Sequence, residues 1–170
     1  DEHYRPALEQ GMKTHSDEVD AIADNSEKPT FENTIAAMEK SGRRLQSATS
    51  IFYHMANSSS NDVLRDLQSD MAPVLSAHSD QIYLNETLFS RVKEIYQSRE
   101  MLGLSAEEKR VTTVLYDEFV HVGAELSDEA KKRVRALNEE EAVLTNEFGQ
   151  NLLKISRDVV VVFDSIEELA

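Results

Sequence analysis

Apolar residues recur along this chain at helical rather than alternating spacing. The longest unbroken case is Thr30 to Asn57, where Phe31, Ile35, Met38, Gly42, Leu45, Thr49, Phe52 and Ala56 follow in steps of 4-3-4-3-4-3-4. Read as one helix, the segment would be about 40 Å long. Thr30 can cap its start, and Pro29 discourages Lys28 from joining it. Burying Phe31, Ile35, Leu45 and Phe52 would stabilise the fold by roughly 1.5–3 kcal/mol each.

Five more helical segments are predicted around it. His3–Asp24 places Tyr4, Leu8, Met12, His15, Val19 and Ile22 on one face. Asp62 to about Tyr83 does so with Leu64, Leu67, Met71, Leu75, His78 and Ile82, and its interior Pro73 predicts a bend or break. Asn85 caps Glu86–Leu102, whose stripe is Leu88, Val92, Ile95 and Leu102, with Gly103 as a left-handed end. Ser105 and Glu108 form a capping box for a helix carrying Val111, Leu115, Phe119 and Val122. From Ser127 a helix of about thirty residues should turn Val134, Leu137, Leu144, Phe148, Leu152 and Ile155 inward. The period then changes: Val159–Phe163 is a β-branched run suited to extended structure, and Ser165–Glu168 resembles another capping box. The expected fold is all-α, an elongated up-and-down bundle of about six helices, with Thr30–Asn57 and Ser127–Arg157 the longest and a short extended segment near the C-terminus. The lone strand needs a partner from outside the chain.

Composition narrows the function classes. The chain has 170 residues, enough for one domain, and 40% of them are apolar. Its formal charge of −14 argues against nucleic acid or an anionic membrane as partner. With no Cys, disulfides, thiolate metal sites and a Cys nucleophile are excluded. No apolar run is long enough for a transmembrane helix, and no signal peptide is visible. The chain begins Asp1-Glu2-His3 without Met, as a processed chain or an excised piece would.

Candidate chemistry is sparse. His15 and His78 sit on apolar stripes and are expected to be hydrogen-bonded core histidines rather than ligands. His54 lies at the edge of the central seam, and His3 is terminal. None of the five histidines opens a His-Glu-x-x-His zinc helix. Glu118 and His121 have the Glu-x-x-His spacing of di-iron bundles, but such a site needs two of these pairs plus two further glutamates. The acidic runs Asp17, Glu18, Asp20 and Glu139–Glu141 read as solvated faces. Lys131, Lys132, Arg133 and Arg135, the one basic cluster, are balanced by nearby glutamates and have no aromatics among them. From the residues alone this is a helical scaffold, with no catalytic, cofactor-binding or metal residue to assign.

Four segments carry a resemblance: EHYRPALEQGM at Glu2–Met12, PTFENTIAAMEKSG at Pro29–Gly42, MAPVLSAHSDQIYLN at Met71–Asn85 and LNEEEAVLTNEFGQNLL at Leu137–Leu153. In this order they resemble the N-terminal helical region of the thimet oligopeptidase-like zinc metallopeptidases, in particular their bacterial peptidyl-dipeptidase (dipeptidyl carboxypeptidase) branch. The resemblance implies a single domain over 1–170, the non-catalytic N-terminal part of a larger enzyme that releases C-terminal dipeptides from short peptides. It would form part of the substrate-channel wall, with the catalytic domain of the same chain and short peptides as its partners. It implies zinc in the intact parent, on a His-Glu-x-x-His helix with a downstream glutamate. None of those residues has a counterpart here, so the chain alone should hold no zinc and be inactive. A cytoplasmic location is expected, with a periplasmic one the alternative. The other readings are the endopeptidase (oligopeptidase) branch of the family or a stand-alone helical interaction module.

Overall fold

The seam between Thr30 and Asn57 is buried as its spacing predicts, but it is not one helix. A computed structural model describes residues 2–58 and 61–158. There the Thr30 hydroxyl accepts the Asn33 N–H at 3.1 Å while Asn33 Oδ1 accepts the Thr30 N–H at 2.8 Å, a reciprocal cap. It opens a π-helical turn, Phe31–Ile35, which passes into α2, Ala36–Lys40. The chain then breaks at Ser41-Gly42, with Gly42 at φ +70°, and resumes as α3, Arg43–Ser58. The left-handed backbone at Gly42 is what its missing Cβ permits.

The other elements are α1 (Tyr4–Ala23), α4 (Asp62–Tyr83), α5 (Glu86–Ser98), α6 (Ala106–Val122) and α7 (Asp128–Asp158). The described residues are all-α, without a strand. The expected caps form: Asn85 Oδ1 accepts the Leu88 N–H at 3.0 Å, and Ser105 and Glu108 close their box. Gly123, at φ +109°, ends α6 in the left-handed conformation. Helix α4 runs unbroken through Pro73, so the break allowed for there does not occur. Buried Leu67 and Met71 before the proline, and His78 and Ile82 after it, hold both halves of α4 against the core. Helix α5 stops at Ser98 rather than Leu102, which is exposed. The Ser98 hydroxyl donates to the Glu94 carbonyl at 2.7 Å, and the Arg99 guanidinium to that of Tyr96 at 2.5 Å. The Tyr96 carbonyl is one that a further turn would have used, whereas the Glu94 carbonyl belongs to a turn the helix already makes. The Val159–Phe163 run and the Ser165–Glu168 box lie outside the described residues.

The largest departure is α7. Of its predicted inward stripe only Val134 is half-buried; Leu137, Leu144, Phe148, Leu152 and Ile155 are 50–65% exposed. The side that packs along α4 is polar and small instead. Asn138 Nδ2 donates to Asp80 Oδ1 at 2.7 Å, Asn146 Nδ2 to Ser69 Oγ at 2.9 Å, and Ser76 Oγ to the Asn138 carbonyl at 3.2 Å. Lys131, nearly fully buried, reaches Glu86 Oε1 at 2.8 Å. Amphipathic spacing identifies which residues share a face; the hydrogen-bonding partners on α4 decide which face turns in.

Two apolar cores result. One joins Val19 and Ile22 of α1, Ile35, Met38 and Ile82 to the inner faces of α5 and α6 around Phe89 and Phe119. The other joins Leu8 of α1 to Leu45, Phe52 and Ala56 of α3 and to Leu64, Leu67 and Met71 of α4. Helices α1 and α4 run through both. The broken seam divides between them, Ile35 and Met38 going to the first core, Leu45 and Phe52 to the second.

Candidate functional site

Between the two cores lies a polar waist that brings together titratable side chains of α1 and α4. His15 follows Leu8 and Met12 and precedes Val19 on α1; His78 lies between Met71 and Ile82 on α4. The Ser41-Gly42 break closes the waist from a third side. His15 Nδ1 and His78 Nε2 are 3.1 Å apart, so one ring carries the shared proton and the other accepts it. The Ser41 hydroxyl donates to the Met38 carbonyl at 2.7 Å, which leaves its oxygen to accept from His15 Nε2, 3.4 Å away. That assigns the shared proton to His78 Nε2 and leaves His15 Nδ1 bare. The Gly42 N–H donates to Glu18 Oε2 at 2.8 Å. A Cβ on Gly42 would stand 2.9 Å from the His15 ring, so the glycine is required by both its backbone and the ring beside it.

The electrostatics follow from burial. Desolvation lowers the pKa of His15, opposed by the charge of Glu18. It lowers His78 as well, and a charge on His15 would lower it further. Buried Asp80, two residues beyond His78 on α4, is raised by desolvation and pulled back by the Asn138 hydrogen bond and Arg135. The waist therefore holds neutral imidazoles, one acting as donor and one as acceptor. This suits a structural joint, and it agrees with the expectation of hydrogen-bonded core histidines.

The remaining candidates do not converge. His54, Glu118 and His121 are exposed, as are the acidic runs at Asp17–Asp20 and Glu139–Glu141 apart from Val19. Glu118 and His121 share one face of α6, but among the described residues no three His, Cys, Asp or Glu side chains form a group that could hold a metal ion. The described residues thus do not fit a zinc site. Two buried charged residues that the sequence did not single out join Lys131 in the interior. Arg91 donates to the carbonyls of Asn25 and Glu27 at 2.7 and 3.1 Å and to Asn33 Oδ1 at 3.1 Å, tying the α1–α2 connection to α5. Asp80 is the other, and its position on the polar side of α4 gave no periodic signal. Along α4 and α7 runs a groove of about 670 Å³ bounded by Tyr53 and Asn57 of α3, with Gln68, Ser76, Asn146 and Gln150 on its walls. Among the described residues no helix is long and apolar enough to cross a membrane.

Comparison with known proteins supplies what the geometry does not. No family model matches the chain. Over 168 residues, 99% of its length, it is 40% identical to the dipeptidyl carboxypeptidase of Escherichia coli (strain K12). It is 39% identical over the same length to the dipeptidyl carboxypeptidase of Salmonella typhimurium. With the Oligopeptidase A of Haemophilus influenzae it shares 23% over 169 residues. In each case the chain spans 25% of the relative's length.

Proposed function

Because the chain corresponds to about a quarter of a thimet oligopeptidase-like peptidase, we propose that it is the non-catalytic N-terminal helical domain of a zinc metallopeptidase. That enzyme releases C-terminal dipeptides from short peptides, and this domain walls one side of its substrate channel. The observation that carries the reading is the 40% identity over 99% of the chain to a dipeptidyl carboxypeptidase. The 23% identity to Oligopeptidase A keeps internal cleavage as the second reading.

The interior of the domain suits a wall. Two apolar cores and a hydrogen-bonded waist hold its helices together without committing any described residue to a metal. A rigid wall limits how much peptide enters and holds it in register, so it affects turnover while touching no reacting atom. Zinc and its ligands then belong to the remainder of the intact polypeptide, with the catalytic domain as this domain's partner.

Digesting defined peptides with the intact protein, with and without a chelator, tests this by mass spectrometry. Products shorter by two residues at the C-terminus, lost on chelation, are expected. Internal cuts would favour the oligopeptidase reading, and no hydrolysis would end the peptidase reading.

A further inference from the structure

Helix α7 presents an apolar stripe on the side turned away from α4. Leu137, Leu144, Phe148 and Ile155 are 52%, 55%, 65% and 57% exposed. From Leu137 to Ile155 is about five helical turns, so the four side chains share one face over roughly 27 Å. Asn138 and Asn146, which hydrogen-bond to α4, lie about a third to half a turn around the helix from that stripe. A line of exposed apolar side chains this long, with glutamates between and beside them, is the mark of an interaction face.

We propose that this stripe is the seat of the rest of the intact polypeptide: an apolar surface of the remaining chain, edged with basic residues, packs on α7 there. The proposal rests on the reading above that the chain is one domain of a longer peptidase. Two observations choose this occupant. The chain spans only 25% of its relatives' length, so about three quarters of a comparable polypeptide would be available to cover α7. Glu140, Glu141 and Glu147 are exposed beside the stripe, which favours a partner with a basic rim. A second copy would bring its own glutamates and another formal charge of −14 to the same face. The acidic run at Glu139–Glu141 thereby gains a role that a merely solvated face does not give it.

The absence of Cys in this chain makes the test direct. Phe148→Cys and, separately, Leu144→Cys are made in the 170-residue chain and in the intact protein, and thiol labelling is timed with the label located by peptide mass spectrometry. In the 170-residue chain both should react as exposed thiols. In the intact protein both should react at least about 100-fold more slowly, limited by local opening of the covered face. Equal rates in the two contexts would overturn the proposal. So would slow labelling in the 170-residue chain together with dimerisation in sedimentation, which would make a second copy the occupant. Slowed labelling in an intact protein without peptidase activity would sustain the docking face while the proposed function failed.

Discussion

Exchanging glycine for alanine at two helical positions should have different effects, and the difference reads the packing of α1 on α3. Gly11 is buried in α1, and a Cβ there would lie 2.9 Å from Leu45 Cα and 3.3 Å from Leu45 Cβ and Cδ1. Gly149 lies within α7, and a Cβ there would meet nothing within 4 Å. Alanine is favoured over glycine inside a helix by about 0.8–1.0 kcal/mol, a contribution common to both sites. At Gly149 that is the whole effect, so Gly149→Ala should stabilise the chain by this amount. At Gly11 the neighbour is backbone and cannot rotate away, so the helices must separate; overpacking of this kind costs about 1–3 kcal/mol. Gly11→Ala should therefore range from near neutral to about 2 kcal/mol destabilising. In urea titrations followed by circular dichroism, with a slope of about 2 kcal/mol/M, the two midpoints should differ by roughly 0.5–1.5 M. Coinciding midpoints would show that α1 and α3 are not in close backbone contact at Gly11.

Three further outcomes are expected. Burial depresses the folded pKa of His15 and of His78 below the unfolded value of about 6.5, so the unfolded chain takes up protons first. Stability should be full above about pH 6.5 and fall as the pH drops toward the folded values, and His78→Gln should flatten that fall in urea midpoints measured from pH 7.5 to 5. Asp80, raised by burial, acts with the opposite sign from about pH 3.8 upward, so the pH slope lost with His78 separates the two. Gly42→Ala should lower stability by at least about 1–2 kcal/mol in the same titration, because alanine is strained in the left-handed region and the His15 ring occupies its space. Arg91→Lys should cost roughly 1.5–3 kcal/mol, since one ammonium cannot span the carbonyls of Asn25 and Glu27 and the Asn33 amide; hydrogen exchange in residues 25–30 should accelerate, and unchanged exchange there would refute the clamp.

Much of the fold was legible because helical periodicity and caps are local. Thr30, Asn85, Ser105 and Gly123 mark helix ends by chemistry that acts within a few residues. The break at Gly42 was hidden because a glycine in a seam looks the same whether it admits a neighbour or turns the chain left-handed. The stripe on α7 was legible as a stripe, but its direction depended on Asp80, Ser69 and Ser76 of α4, far away in sequence. His15 and His78 were legible as interior histidines because each lies on an apolar stripe. Their pairing was not, because it depends on where α1 crosses α4.

The proposed role is that of a scaffold, with the chemistry elsewhere in a longer polypeptide. Its most direct test is the zinc content of the dialysed 170-residue chain, measured beside its hydrolysis of short peptides. Substoichiometric zinc and no cleavage are expected; stoichiometric zinc accompanied by cleavage would overturn the scaffold role and make Glu118 and His121 the first ligands to examine.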